Sequence, residues 1–169
     1  GYVKTESFTL VVGQLQATDP IPDGPRTPVR YYAYDDVDVT YPPHPTYNWV
    51  EVNTLGTQMS FSSNNSVVAV PLPAEFGPLK FYGQRFTQVS ISADGWISPG
   101  SHTTPSYENT ALPNPSDPPG MICANWVDLY PVSSGGGAGY VYYYHDTANH
   151  RFVVEYDSVR YYWSNDRDK

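Results

Sequence analysis

Apolar and polar residues alternate along this chain in short runs, the period of β-strands rather than helices. In residues 7–12, Phe8, Leu10 and Val12 alternate with Thr9 and Val11, which predicts one strand. A stiff connector follows, with Pro20, Pro22, Pro25 and Pro28 each removing a backbone donor. From Val29 onward the pattern predicts strands at 29–34, 47–53, 57–61, 66–71, 79–82, 86–92 and 95–98. Asp94-Gly95 between the last two predicts a type I′ turn, which needs positive φ at both central positions. Residues 99–119 are dense in proline and predict a long ordered loop or lid. Met121–Trp126 reads as a central strand, and further strands are expected at 140–145, 150–156 and 159–163. The polar turn after Trp163 has no strand behind it, so the next strand is missing or comes from another chain, leaving an edge open. The expected organisation is an N-terminal strand at 1–14, a connector at 15–28 and a sandwich domain at 29–169. The strand at 1–14 either ends a preceding unit or is exchanged between molecules.

Composition narrows the class further. The 169 residues include 17 Pro and 13 Gly, which leave no room for a long helix. Tyrosine is abundant at 16, against 6 Phe and 4 Trp, and this aromatic content rules out a disordered chain. The fold class implied is all-β: a jelly-roll-like antiparallel β-sandwich with an N-terminal extension strand. Nine Lys and Arg against 17 Asp and Glu give a net charge of −8, the wrong sign for nucleic acid or an anionic membrane surface. The single Cys123 forbids an internal disulfide. No apolar run approaches the roughly 20 residues of a membrane span. Gly1-Tyr2-Val3-Lys4 lacks the character of a signal peptide, so the chain is expected to be mature or an internal fragment.

Several side-chain groups are candidates for chemistry. Asp35, Asp36 and Asp38 offer hard oxygen ligands for calcium, the one cofactor the sequence suggests, although they equally suit a solvated strand end. Period two puts Tyr140, Tyr142 and Tyr144 on one face and Tyr143 on the other. With Trp163, that ladder is a candidate surface for glycan or protein, or a cross-strand ladder that only stiffens the sheet. Trp49, Trp96 and Trp126 suit sugar stacking or core packing. Glu51 and Glu155 are candidates for a glycosidase acid and base, which would stand about 5–10 Å apart. His44, His102, His145 and His150 lack zinc-site spacing, and Cys123 in an apolar strand reads as a small buried hydrophobe. Asn64-Asn65-Ser66 is a formal glycosylation sequon.

Longer stretches carry a family resemblance. These are Tyr31 to Asp38, Pro45 to Glu51, Phe81 to Phe86, Ile91 to Ile97, Asn125 to Leu129 and Gly139 to Tyr156. They resemble a β-sandwich module of large secreted bacterial proteins, many of them gingipain-type cysteine peptidases, where it lies beside immunoglobulin-like domains. Such modules usually carry two adjacent Asp after the Trp, whereas Val127 stands before Asp128 here. No peptidase catalytic domain is present, so the resemblance implies no proteolysis and no catalytic residues. It implies a secreted module at a bacterial cell surface, with neighbouring domains, subunits or a surface glycan as partners. Three functions stay open: a non-catalytic binding or support module; a filament subunit, a homopolymer in which Phe8, Leu10 and Val12 fill the open edge of the next molecule; and a jelly-roll glycosidase.

Overall fold

The structure, a computed structural model, describes residues 46–132 and 139–164 and the backbone of residues 9–11 and 32–34. The chain forms two compact units, Gly1–Trp49 and Val50–Lys169. In the first, β1 (Thr9–Val11) pairs antiparallel with β2 (Tyr32–Tyr34), Leu10 lying opposite Ala33.

The second unit is an all-β, antiparallel sandwich. Its strands are β3 (Thr57–Gln58), β4 (Val67–Pro71), β5 (Leu79–Phe81), β6 (Gln84–Phe86), β7 (Gln88–Ser92), β8 (Trp96–Pro99), β9 (Ile122–Cys123), β10 (Tyr140–Asp146) and β11 (Arg151–Asp157). One sheet has the order β11-β10-β3, the other β4-β7-β8-β9, and β5-β6 is a separate hairpin. The inner faces share one core of Met59, Val70, Val89, Ile91, Leu129, Val141 and Val159, packed by Tyr143, Phe152, Val154 and Tyr156. Burying a side chain of this size contributes about 1.5–3 kcal/mol. The Tyr156 hydroxyl crosses between the sheets and donates to the Ser92 carbonyl at 2.6 Å.

The outer face of the four-stranded sheet carries Ser90, Ser92, Trp96 and Ser98, all buried, so something must cover it. The proline-rich loop does so, and small hydroxyls satisfy its backbone. Ser90 Oγ donates to the Gly100 carbonyl at 2.9 Å and accepts from the His102 amide at 2.8 Å. Ser98 Oγ donates to the Pro119 carbonyl at 2.7 Å. Both indoles, Trp96 and Trp126, donate to the Ser106 carbonyl, at 2.7 and 2.8 Å. Asp117 then accepts from Ser106 and Thr110. The expected ordered loop is thus a fixed cover.

Four local expectations are corrected. Residues 47–53 form no strand, because the Val52 amide donates to a side chain, Glu155 Oε2, at 2.9 Å, and not to a strand partner. The stretch at 121–126 is an edge strand of two residues, not a central one. It leaves the sheet because the Asn125 and Val127 amides donate to the carbonyls of Gly95 and Asp94. At 159–163 no strand forms: Arg160 and Tyr161 are isolated bridge residues, Tyr161 opposite Leu129. The Asp94-Gly95 turn is not type I′, since only Gly95 has positive φ, at 78°. The type I′ signature falls instead at Tyr82-Gly83, φ 46° and 79°, joining β5 to the unforeseen β6.

Gly95 is required for space as well as conformation. A Cβ there would lie 1.9 Å from the Asn125 carbonyl oxygen. Gly95→Ala is therefore expected to lose at least about 3 kcal/mol of stability in denaturant unfolding; a change below 1 kcal/mol would contradict this packing. At the β10–β11 turn, Asp146 accepts from Asn149 and, at 2.6 Å, from Arg151 Nε. Those donors hold its carboxyl below the usual range, the Asn149 side chain first. Asp146→Ala is expected to lower the unfolding midpoint more than Asp146→Asn, measured in the same way.

Candidate functional site: a tyrosine and carboxylate face

Strands β10 and β11 are paired in full register, so each face of this hairpin can be read residue by residue. Tyr142 stands opposite Glu155, Tyr140 opposite Asp157, Tyr144 opposite Val153 and Asp146 opposite Arg151, all on the outer face. Val141, Tyr143 and His145 point the other way, Val141 and Tyr143 into the shared core. The period-two reading of the tyrosines therefore describes the hairpin. Tyr140 is 44% exposed, while Tyr142 and Tyr144 are half-buried. The rings of Tyr140 and Tyr142 lie 6.1 Å apart, tilted by 55°.

Carboxylates surround these rings. Glu155 is only 5% exposed although it lies on the outer face, because the 51–52 segment lies against it. One oxygen accepts from the Val52 amide, and its carboxyl is hydrogen-bonded to that of Glu51. Burial first, then the Glu51 contact and the nearby Asp157, pushes Glu155 up to about 7 against the stabilising Val52 bond. Burial and the charges of Asp157, Glu155 and Glu51 also raise the Tyr142 hydroxyl. The face thus offers flat aromatic area beside hydrogen-bond acceptors and negative charge.

Trp163 belongs to a second group of rings beyond β11. It is 65% exposed and stacks on Tyr161 at 5.5 Å, with 17° between the planes. Tyr162 is 52% exposed and meets Tyr130 edge-on at 5.5 Å, while the Arg160 guanidinium covers the Tyr130 ring at 4.7 Å. Tyr130 and Arg160 went unnoticed in the sequence; an aromatic four residues after Trp126 was the signal available.

Other candidates separate clearly. Trp96 is 1% and Trp126 9% exposed, so both are core pins, not stacking platforms. Trp49 is 43% exposed, within the first unit. Asp35, Asp36 and Asp38, with Phe8, Val12 and His44, lie outside the described residues, and of Leu10 the backbone alone is described. Among the described residues no three His, Cys, Asp or Glu side chains gather as a metal-binding group. His145 packs against Tyr143 and Phe152, and His150 against Phe76. His102 Nε2 lies 2.9 Å from the Pro99 carbonyl oxygen. Burial, followed by the charge of Asp117, pushes the Cys123 thiol up to about 11, which disfavours the reactive thiolate. Asp94 is a fully buried carboxylate and Asp128 a half-buried one, and the sequence announced neither; burial pushes Asp94 up to about 8 and raises Asp128.

A comparison with protein families decides the wider context. The family model described as NIDO related matches residues 40–169, most of the chain. The chain belongs to the NIDO-related family. No curated protein and no solved structure shows significant similarity to it. The NIDO-related family is extracellular, and its domains are non-enzymatic modules of adhesion type. Among the described residues no helix is long and apolar enough to cross a membrane.

The Glu51–Glu155 pair gives this NIDO-related module a pH dependence. A carboxyl raised to about 7 binds its proton more tightly folded than unfolded. Its stabilisation is present at low pH and is lost as pH rises from the unfolded value of about 4.5 through 7. Wild-type Tm is expected to fall by several degrees between pH 5 and pH 8, and Glu155→Gln should flatten part of that slope. Equal slopes for the two proteins would contradict the raised Glu155 carboxyl.

Proposed function

We propose that this NIDO-related chain is a non-catalytic extracellular module that contacts a neighbouring protein through the tyrosine and carboxylate face of β10 and β11. The observation that carries this reading is the exposed ring of Tyr140 at the head of a ladder flanked by Asp157, Glu155 and Glu51. Tyrosine provides rigid, amphipathic contact area at low entropic cost, and the carboxylates favour a partner segment rich in Lys or Arg. The buried state of Trp96 and Trp126 removes two of the rings that a glycan platform would use, so a protein partner is the better match.

The other functions fit less well. A glycosidase acid and base stand about 5–10 Å apart, whereas the Glu51 and Glu155 carboxyls are hydrogen-bonded to each other. Strand addition would use the 1–14 segment, and there Thr9–Val11 already pairs with Tyr32–Tyr34. Attachment beside immunoglobulin-like domains in a larger exported bacterial protein accords with the family's extracellular setting.

The test is biolayer interferometry of the whole chain against a lysine-rich peptide and against an array of neutral glycans. The peptide should bind, and Tyr140→Ala with Tyr142→Ala should weaken it at least tenfold while Trp163→Ala leaves it unchanged. Selective binding of a neutral glycan that depends on Trp163 would overturn the protein-contact reading.

A further inference from the structure

A fully buried carboxylate, Asp94, and a half-buried one, Asp128, meet at one corner of the sandwich, away from the tyrosine face. The Asp94 side chain is fully buried. Its Oδ1 accepts from the Leu129 amide at 3.3 Å, while its Oδ2 has no hydrogen-bond partner. Asp128 Oδ1 is likewise buried and without a partner. The charge of Asp128 acts on Asp94, yet no hydrogen bond joins them. No Lys or Arg compensates either group among the described residues. A buried carboxylate left in this state is costly, and it is retained when it carries a proton, pairs with a base or binds a metal. Two such oxygens in one corner are not explained by packing.

We propose that Asp94 and Asp128 hold a divalent cation between their unpartnered oxygens, and that calcium is the ion they fit. Every donor at this corner is oxygen, the ligand type of hard cations, with no imidazole or thiolate to select zinc or copper. The Asn64 side chain hydrogen-bonds Asp128 and fixes its carboxyl. Asn64 sits in the turn whose Ser66 carbonyl accepts from the Ala93 amide at 2.8 Å. A cation here would tie three segments together: the turn before β4, the β7–β8 turn and residues 125–130. Main-chain carbonyls and water would complete its coordination, since no third acidic, His or Cys side chain joins the pair.

The whole chain, treated with chelator and dialysed, should gain several degrees in Tm on addition of millimolar calcium chloride. Terbium should luminesce on binding, sensitised by Trp96 and Trp126, and calcium should displace it. Asp94→Asn and, separately, Asp128→Asn should abolish both responses. Either variant alone suffices if the other fails to fold. The triple change Asp35→Asn, Asp36→Asn, Asp38→Asn should leave both responses intact. The proposal is overturned if calcium leaves Tm and terbium emission unchanged, or if the responses survive at Asp94 and Asp128 and vanish in the triple variant.

Discussion

The close approach of the β7–β8 turn to residues 125–130 is the constraint on which the rest of the sandwich depends. Only a hydrogen at Gly95 lets the turn reach the Asn125 carbonyl. Contact at that range aligns three amides with the turn, those of Asn125, Val127 and Leu129. It pulls Trp126 alongside Trp96, so that one carbonyl, that of Ser106, serves both indoles. The proline-rich cover is thereby pinned to the sheet. Tyr156 closes the same corner from the opposite sheet through the Ser92 carbonyl. The price of this arrangement is the burial of Asp94 and of one oxygen of Asp128.

The tyrosine and carboxylate face follows from the same frame. With Val141, Tyr143, Phe152, Val154 and Tyr156 committed to the core, the alternate residues of β10 and β11 must face outward. The sheet thus fixes the tyrosines in a row without any loop to position them. Rigid placement limits the entropy lost when a partner binds. Glu155 shows how crowded that face is, since a carboxylate on the outside of a sheet becomes buried once residues 51–52 lie against it.

Sequence reasoning succeeded where local chemistry decides the outcome. Tyrosine- and valine-rich runs on either side of the Asp146–Asn149 turn identified β10 and β11, period two gave the two faces of the β10 tyrosines, and Ser-Val-Val-Ala-Val-Pro predicted β4 almost to its ends. It failed where a distant group competes for the backbone. Tyr47 to Asn53 reads as a strand, but Glu155, 103 residues from Val52, takes the amide that a neighbouring strand would need. Met121 to Trp126 reads as central, but the carbonyls of Asp94 and Gly95 draw the chain off the sheet. The pairing of Glu51 with Glu155 and the burial of Asp94 beside Asp128 Oδ1 are tertiary facts, and spacing along the chain carries no trace of either.

Native-state hydrogen exchange at the amides of Asn125, Val127 and Leu129 tests the central constraint most directly. If the turn contact holds the sandwich together, these amides, though outside any strand, exchange only through global unfolding, with the same free energy as the amides of Ile91 and Val141. Exchange through local opening, several kcal/mol easier than that of the strand amides, would contradict the account.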